Sequence, residues 1–137
     1  MRALLLLTLT LSAYAPNLNP IRWALTAQPD QLILHTSIAE NYKLFAPTKT
    51  TPGPIPMRLR NLSPNLVQLG KPKAQAAEER LSGEVDFTIP FKLRRKLPPE
   101  GLTLQLEVEY QSCSDVICLP PTKRRLEAKL LPANPVL

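Results

Sequence analysis

Leu102-Thr-Leu-Gln-Leu-Glu-Val-Glu-Tyr110 is the stretch that decides the fold. Leu102, Leu104, Leu106, Val108 and Tyr110 fall on one side of an extended chain, and Thr103, Gln105, Glu107 and Glu109 on the other. Successive strand side chains point to opposite faces, so this alternation reads as an antiparallel strand with one face buried and one wet. Upstream, Glu84-Val-Asp-Phe-Thr-Ile-Pro-Phe91 repeats the pattern with Val85, Phe87, Ile89 and Phe91 on one face, and Gln31-Leu-Ile-Leu-His-Thr-Ser-Ile38 is β-rich. Downstream, Leu126, Ala128 and Leu130 alternate with Glu127 and Lys129. Proline-rich connections at residues 47–56 and at Pro98-Pro-Glu-Gly101 separate these runs. The single helical candidate is a turn or two at residues 74–81, an Ala/Glu/Gln/Arg run of good propensity. Sixteen prolines against four glycines in 137 residues speak against a helical bundle, because proline breaks helix interiors and punctuates strand ends. The reading is all-β: an Ig-like antiparallel β-sandwich in a single domain.

The first residues set the compartment. A positive Met1-Arg2 start leads into an almost unbroken apolar run from Ala3 to Leu11, and Ala13-Tyr14-Ala15 has the small-x-small pattern of a signal-peptidase site. The run is shorter than the roughly 20 residues a membrane-spanning helix requires. Residues 1–15 therefore read as a signal peptide, residues 16–29 as an N-terminal extension and residues 30–132 as the sandwich. Pro16 would follow the cut, a position signal peptidases dislike, so membrane attachment through an uncleaved signal stays open. Export places the chain outside the cytoplasm, where disulfides persist. The formal charge of +6 falls to +5 once Arg2 leaves with the signal. Lys92-Leu-Arg-Arg-Lys96 and Lys123-Arg-Arg125 carry much of it, but no aromatic residues interleave them as a single-strand nucleic-acid binder needs. They read as solvated strand ends balancing the acidic strand, with no nucleic-acid partner.

Chemistry has one place to reside. Cys113 and Cys118 are the only cysteines, separated by Ser114-Asp-Val-Ile117 and followed by Leu-Pro-Pro121. A four-residue connection is a common hairpin length and would set the two cysteines opposite one another, within disulfide range. The loop so closed is tiny, and its chain-entropy contribution lies near the minimum any disulfide gives. A bridge placed for stability would join distant strands more usefully, which favours a redox role over a purely structural one. Parity carried on from Tyr110 puts Ser112 inward and Gln111 and Cys113 outward, so Cys113 is expected near solvent. Between Leu97 and Thr122 lie four acids (Glu100, Glu107, Glu109 and Asp115) and no Lys, Arg or His. Negative neighbours disfavour a thiolate, which suggests a pair that exchanges with a better-activated partner.

The segment Val108-Glu-Tyr-Gln-Ser-Cys-Ser-Asp-Val-Ile-Cys-Leu-Pro-Pro-Thr122 resembles the active-site signature of the N-terminal domain of the thiol:disulfide interchange protein DsbD family. There a hydrophobic strand runs into Tyr-Gln-x-Cys, with a second Cys shortly after and then x-Pro-Pro. Asn41-Tyr-Lys-Leu-Phe-Ala-Pro47, the Pro-Gly-Pro-Ile-Pro that follows and Gly83 to Phe91 are similar to the family's early strand, loop and middle strand. The resemblance implies an immunoglobulin-like domain in which Cys113 and Cys118 cycle between disulfide and dithiol. It implies reduction by a thioredoxin-like or DsbD-like module and delivery of electrons to extracytoplasmic oxidoreductases, cytochrome c maturation factors among them. Tyr110, Gln111, Asp115 and Pro120 become neighbours that shape docking. Two departures stand out. Residues 71–81, which should supply an aromatic cap over the disulfide, contain no Phe or Tyr, so the bridge is expected to lack that cap and to be open to small thiols unless Tyr42 or Phe45 takes its place. The membrane-spanning and thioredoxin-like parts of full-length relatives have no counterpart in this sequence, so separate partners are expected.

The rival reading is a non-catalytic Ig-like binding or assembly module with a structural Cys113–Cys118 disulfide. Zinc is disfavoured because it takes four N/S ligands and the single histidine, His35, lies in another strand. Copper(I) on two thiolates suits the spacing but ranks far below both disulfide readings. No cofactor is expected. His35 reads as a structural strand residue, and Trp23 as packing on the sandwich edge.

Overall fold

The computed structural model describes residues 19–75 and 78–132; the expected signal segment lies outside them. In chain order the strands are β1 (Ile21–Ala27), β2 (Gln31–Ile38), β3 (Tyr42–Phe45), β4 (Arg58–Asn61), β5 (Val67–Leu69), β6 (Lys73–Ala74), β7 (Arg80–Leu81), β8 (Glu84–Leu93), β9 (Leu102–Tyr110), β10 (Ser112–Ser114) and β11 (Thr122–Leu130). All the pairings are antiparallel, and no helix occurs among the described residues. The alternating segments of the sequence became the long strands, and their inward rows make one core. Leu32 and Leu34 of β2, Phe87 and Ile89 of β8, and Leu104, Leu106 and Val108 of β9 are fully buried in it. The fold is the Ig-like antiparallel sandwich that the alternation indicated.

One sheet runs β1-β2-β8-β5, with β6 also on β8; a second runs β11-β9-β4 and a third β10-β3-β7. β1 pairs with β2 over its whole length, so residues 21–27, within the stretch read as an extension, are a strand of the main sheet. Trp23 of β1 lies against the Tyr110 ring at 5.0 Å, with the planes inclined by 58°. β11 begins at Thr122, earlier than its apolar alternation at Leu126, because its basic first half pairs with the acidic end of β9. Lys123 is in register with Glu109 and Arg125 with Glu107, while β4 brings Arg58 and Arg60 to the same two acids from the other side. Cross-strand pairs of opposite charge of this kind stabilise a sheet modestly.

The helix expected at residues 74–81 is not formed. Lys73–Ala74 adds to β8 and Arg80–Leu81 adds to β3; between them, residues 76 and 77 lie outside the described set. A helix of one or two turns has too few hydrogen bonds to offset its nucleation cost. Strand pairing instead buries Leu81, opposite Leu44, to 2 % exposure. The turn into β9 depends on Gly101, whose φ of +79° is a conformation that side chains with a Cβ resist. An added Cβ there would also run into the Leu130 carbonyl.

Candidate redox site

β9 ends at Tyr110, and the chain changes partners. Gln111 is not in a strand, and the following β10 pairs with β3 in another sheet: Ser112 with Leu44, Cys113 with Lys43 and Ser114 with Tyr42. Cys113 and Cys118 oppose one another as an antiparallel bridge, with Cα atoms 4.0 Å apart and a disulfide between them. The turn between them is organised by Ser114. Its N–H donates to the Ile117 carbonyl at 2.8 Å, and its hydroxyl oxygen accepts the N–H groups of Val116 (3.2 Å) and Ile117 (3.1 Å). A Ser side chain bonding forward in this way fixes a turn without help from the rest of the domain.

The two cysteines differ in exposure. Cys118 is exposed, whereas Cys113 is 7 % exposed, which corrects the expectation that Cys113 lies near solvent. The parity argument placed the neighbouring residue well, since Ser112 does point inward at 3 % exposure. What it lacked is the covering of the outward face. By strand alternation Cys113, Lys43 and Phe45 share that face, and Phe45 is itself buried at 4 %. Residues 46–57 fold back over this edge: Met57 N–H donates to the Phe45 carbonyl at 2.9 Å, and Ile55 N–H to the Gln111 Oε1 at 3.0 Å. The same loop is held from its other side by Glu79, whose carboxylate accepts the Thr51 hydroxyl at 3.0 Å. Tyr42, the other aromatic residue considered as a cap, falls by the same alternation on the opposite face and packs against the core.

Gln111 joins three pieces of the site. While its Oε1 takes the Ile55 N–H, its Nε2 donates to the Leu119 carbonyl at 3.1 Å, one residue beyond Cys118. Tyr110, as the last inward residue of β9, is 6 % exposed, with its ring tilted against Trp23. Asp115 and Pro120 are exposed beside the bridge. Glu107 and Glu109 belong to β9, each flanked in register by two cations, and Lys123 Nζ stands 3.9 Å from the Glu109 carboxylate. Asp115 is the acid within the cysteine loop itself, and Lys43 stands in register opposite Cys113.

A family model for the thiol:disulfide interchange protein DsbD, N-terminal, matches residues 15–130. The chain belongs to the DsbD N-terminal domain family. No curated protein matches the chain. Among solved structures it is similar to the reduced form of the Neisseria meningitidis DsbD N-terminal domain, with a TM-score of 0.57 and 15 % identity over 86 % of this chain and 91 % of that one. It is also similar to a structure of the complex between the DsbD N-terminal and PilB N-terminal domains of Neisseria meningitidis. There the TM-score is 0.53 and the identity 17 %, over 84 % of this chain and 87 % of that one. At such identities the likeness is one of fold.

Within this DsbD-type domain a second polar constellation lies apart from the cysteines. His35 Nδ1 is 2.8 Å from the Asp86 carboxylate and His35 Nε2 is 3.3 Å from the Thr26 hydroxyl, across β1, β2 and β8. Both His35 and Asp86 are more than two-fifths exposed on the outer face of the sheet, as suits a cross-strand polar ladder. Among the described residues no group of three or more His, Cys, Asp or Glu side chains is arranged to hold a metal ion. Two site features escaped the sequence reading: the Gln111 clamp, and the apolar pair Val116 and Ile117 at the hairpin tip. The second had a visible signal, since turn positions ordinarily carry Gly, Asn, Asp or Ser, and here two β-branched apolar residues stand between the cysteines.

Proposed function

We propose that the chain is an extracytoplasmic, periplasmic thiol–disulfide exchange protein that relays electrons between a thioredoxin-like donor and other oxidoreductases through Cys113 and Cys118. The observation that carries this reading is the unequal exposure of the bridged residues, Cys118 being exposed and Cys113 buried. Exchange requires a thiolate to approach one sulfur in line with the S–S bond, and access decides which sulfur is attacked. A partner thiolate bonds to Cys118 Sγ, the Cys113–Cys118 bond breaks, and Cys113 leaves as a thiolate that takes up a proton. The partner's second thiol then attacks its own sulfur in the mixed disulfide and releases Cys118 as a thiol. Two electrons and two protons pass to this chain, and the partner is left oxidised. Running the same steps backwards delivers them to an acceptor. The Neisseria meningitidis complex of a DsbD N-terminal domain with the PilB N-terminal domain supports docking of a separate protein as the way such a domain works.

The test is a mixed-disulfide trap. Oxidised chain is mixed with a reduced thioredoxin whose resolving cysteine is replaced by serine, and the products are quenched with acid and mapped by mass spectrometry. The reading predicts an adduct through Cys118 with Cys113 free to alkylate. No adduct over hours, with the disulfide inert to small thiols, would replace exchange by the binding-module reading.

A further inference from the structure

Among the described residues the exposed large hydrophobics are Leu93, Val116, Ile117 and Leu131, and the two neighbours Val116 and Ile117 sit at the tip of the cysteine hairpin, 95 % and 57 % exposed. Val116 contributes essentially no buried area to the domain. A turn of this kind has no steric need for β-branched apolar residues, and the Ser114 bonds that hold it use only backbone groups of residues 116 and 117. The side chains are thus presented outward on a fixed turn, immediately before the exposed Cys118. The tip and Cys118 are contiguous in the chain and exposed together.

We propose that Val116 and Ile117 form an apolar docking tip that seats in an apolar depression beside the reactive cysteine of a thioredoxin-like partner, and that the tip sets the rate of productive encounter. The proposal rests on the exchange reading and adds to it the chemistry of the contact. Asp115, exposed in the same turn, fits a partner surface that is neutral or basic and disfavours insertion into an anionic membrane. Because the turn is pre-organised, little ordering entropy opposes the burial of the two side chains, so hydrophobic area converts efficiently into transition-state affinity. Exposed apolar groups that serve no fold are the usual mark of an interaction surface when they cluster at a functional site.

The experiment uses the full chain with Val116→Ser and Ile117→Ser together, oxidised, against two probes: reduced thioredoxin and dithiothreitol. Loss of two buried apolar side chains from the encounter should lower the second-order rate with thioredoxin about tenfold or more. Reduction by dithiothreitol and the thermal midpoint should stay at wild-type values, because the substituted side chains are exposed. A thioredoxin rate within about twofold of wild type overturns the proposal. So does a parallel fall with both probes, which would mean a changed disulfide, not a lost contact. Altered binding to anionic vesicles or altered self-association, with the thioredoxin rate unchanged, would assign the tip to another occupant and equally overturn it. Failure of the wild-type chain to react with thioredoxin at all is a separate result: it removes the exchange reading itself, and the proposal with it.

Discussion

Cys113 and Cys118 share one bond but not one environment, and the difference comes from single residues. Cys113 is buried on the strand face that it shares with Phe45, while Cys118, beyond the Ser114 turn, is exposed. With a sequence separation of 5, the bridge closes a loop so short that the chain-entropy relation gives it only about 2 kcal/mol. Replacing both cysteines, Cys113→Ser with Cys118→Ser, should therefore leave a folded domain. Chemical denaturation is expected to show an unfolding free energy lowered by no more than that amount. A double variant that does not fold at moderate temperature would make the bridge a structural element.

At the scale of elements, the long strands were readable because each carries its own alternation. β2, β9 and the body of β8 lie where Gln31–Ile38, Leu102–Tyr110 and the run from Glu84 to Phe91 placed them. The short strands were not, since β4, β6 and β7 have two to four residues each and acquire their conformation from partners distant in sequence. The same reason explains the site. The cysteine hairpin is local and was legible, whereas the burial of Cys113 was not, and the proline-rich loop that Gln111 ties to this region through Ile55 lies more than fifty residues upstream. Gln111 bridges two elements with two opposite hydrogen-bond roles, which gives a selective test. Gln111→Glu keeps the acceptor for Ile55 but replaces the donor to the Leu119 carbonyl with a second acceptor. The variant should lose about 1–3 kcal/mol, from the lost bond and the unsatisfied carbonyl. Its disulfide should be reduced by glutathione faster than in wild type, because the loop over Cys113 and the segment after Cys118 are no longer tied together. An unchanged glutathione rate at reduced stability would show that the clamp supports the fold without shielding the sulfur.

For the molecule as a whole, the sandwich works as a rigid mount. Its core draws on strands along the whole chain, β9 immediately before the cysteines among them, and the cysteine hairpin is carried on β10 and the turn that follows it. Basic strands β4 and β11 flank the acidic end of β9 and pair its two carboxylates in register, while at the bridge itself Asp115 lies in the cysteine loop and Lys43 stands opposite Cys113. The proposed exchange requires that the disulfide open without disturbing the core, as an electron carrier must and a structural bridge need not. The equilibrium reduction potential tests that claim most directly. The oxidised chain is equilibrated in a series of dithiothreitol buffers, and the fraction of free Cys113 and Cys118 is read by thiol alkylation and mass. Structural disulfides of secreted proteins typically lie below about −300 mV, and exchange-active ones lie above. The account predicts a midpoint above about −300 mV with the domain folded in both states; a midpoint below that value, or reduction that unfolds the domain, would contradict it.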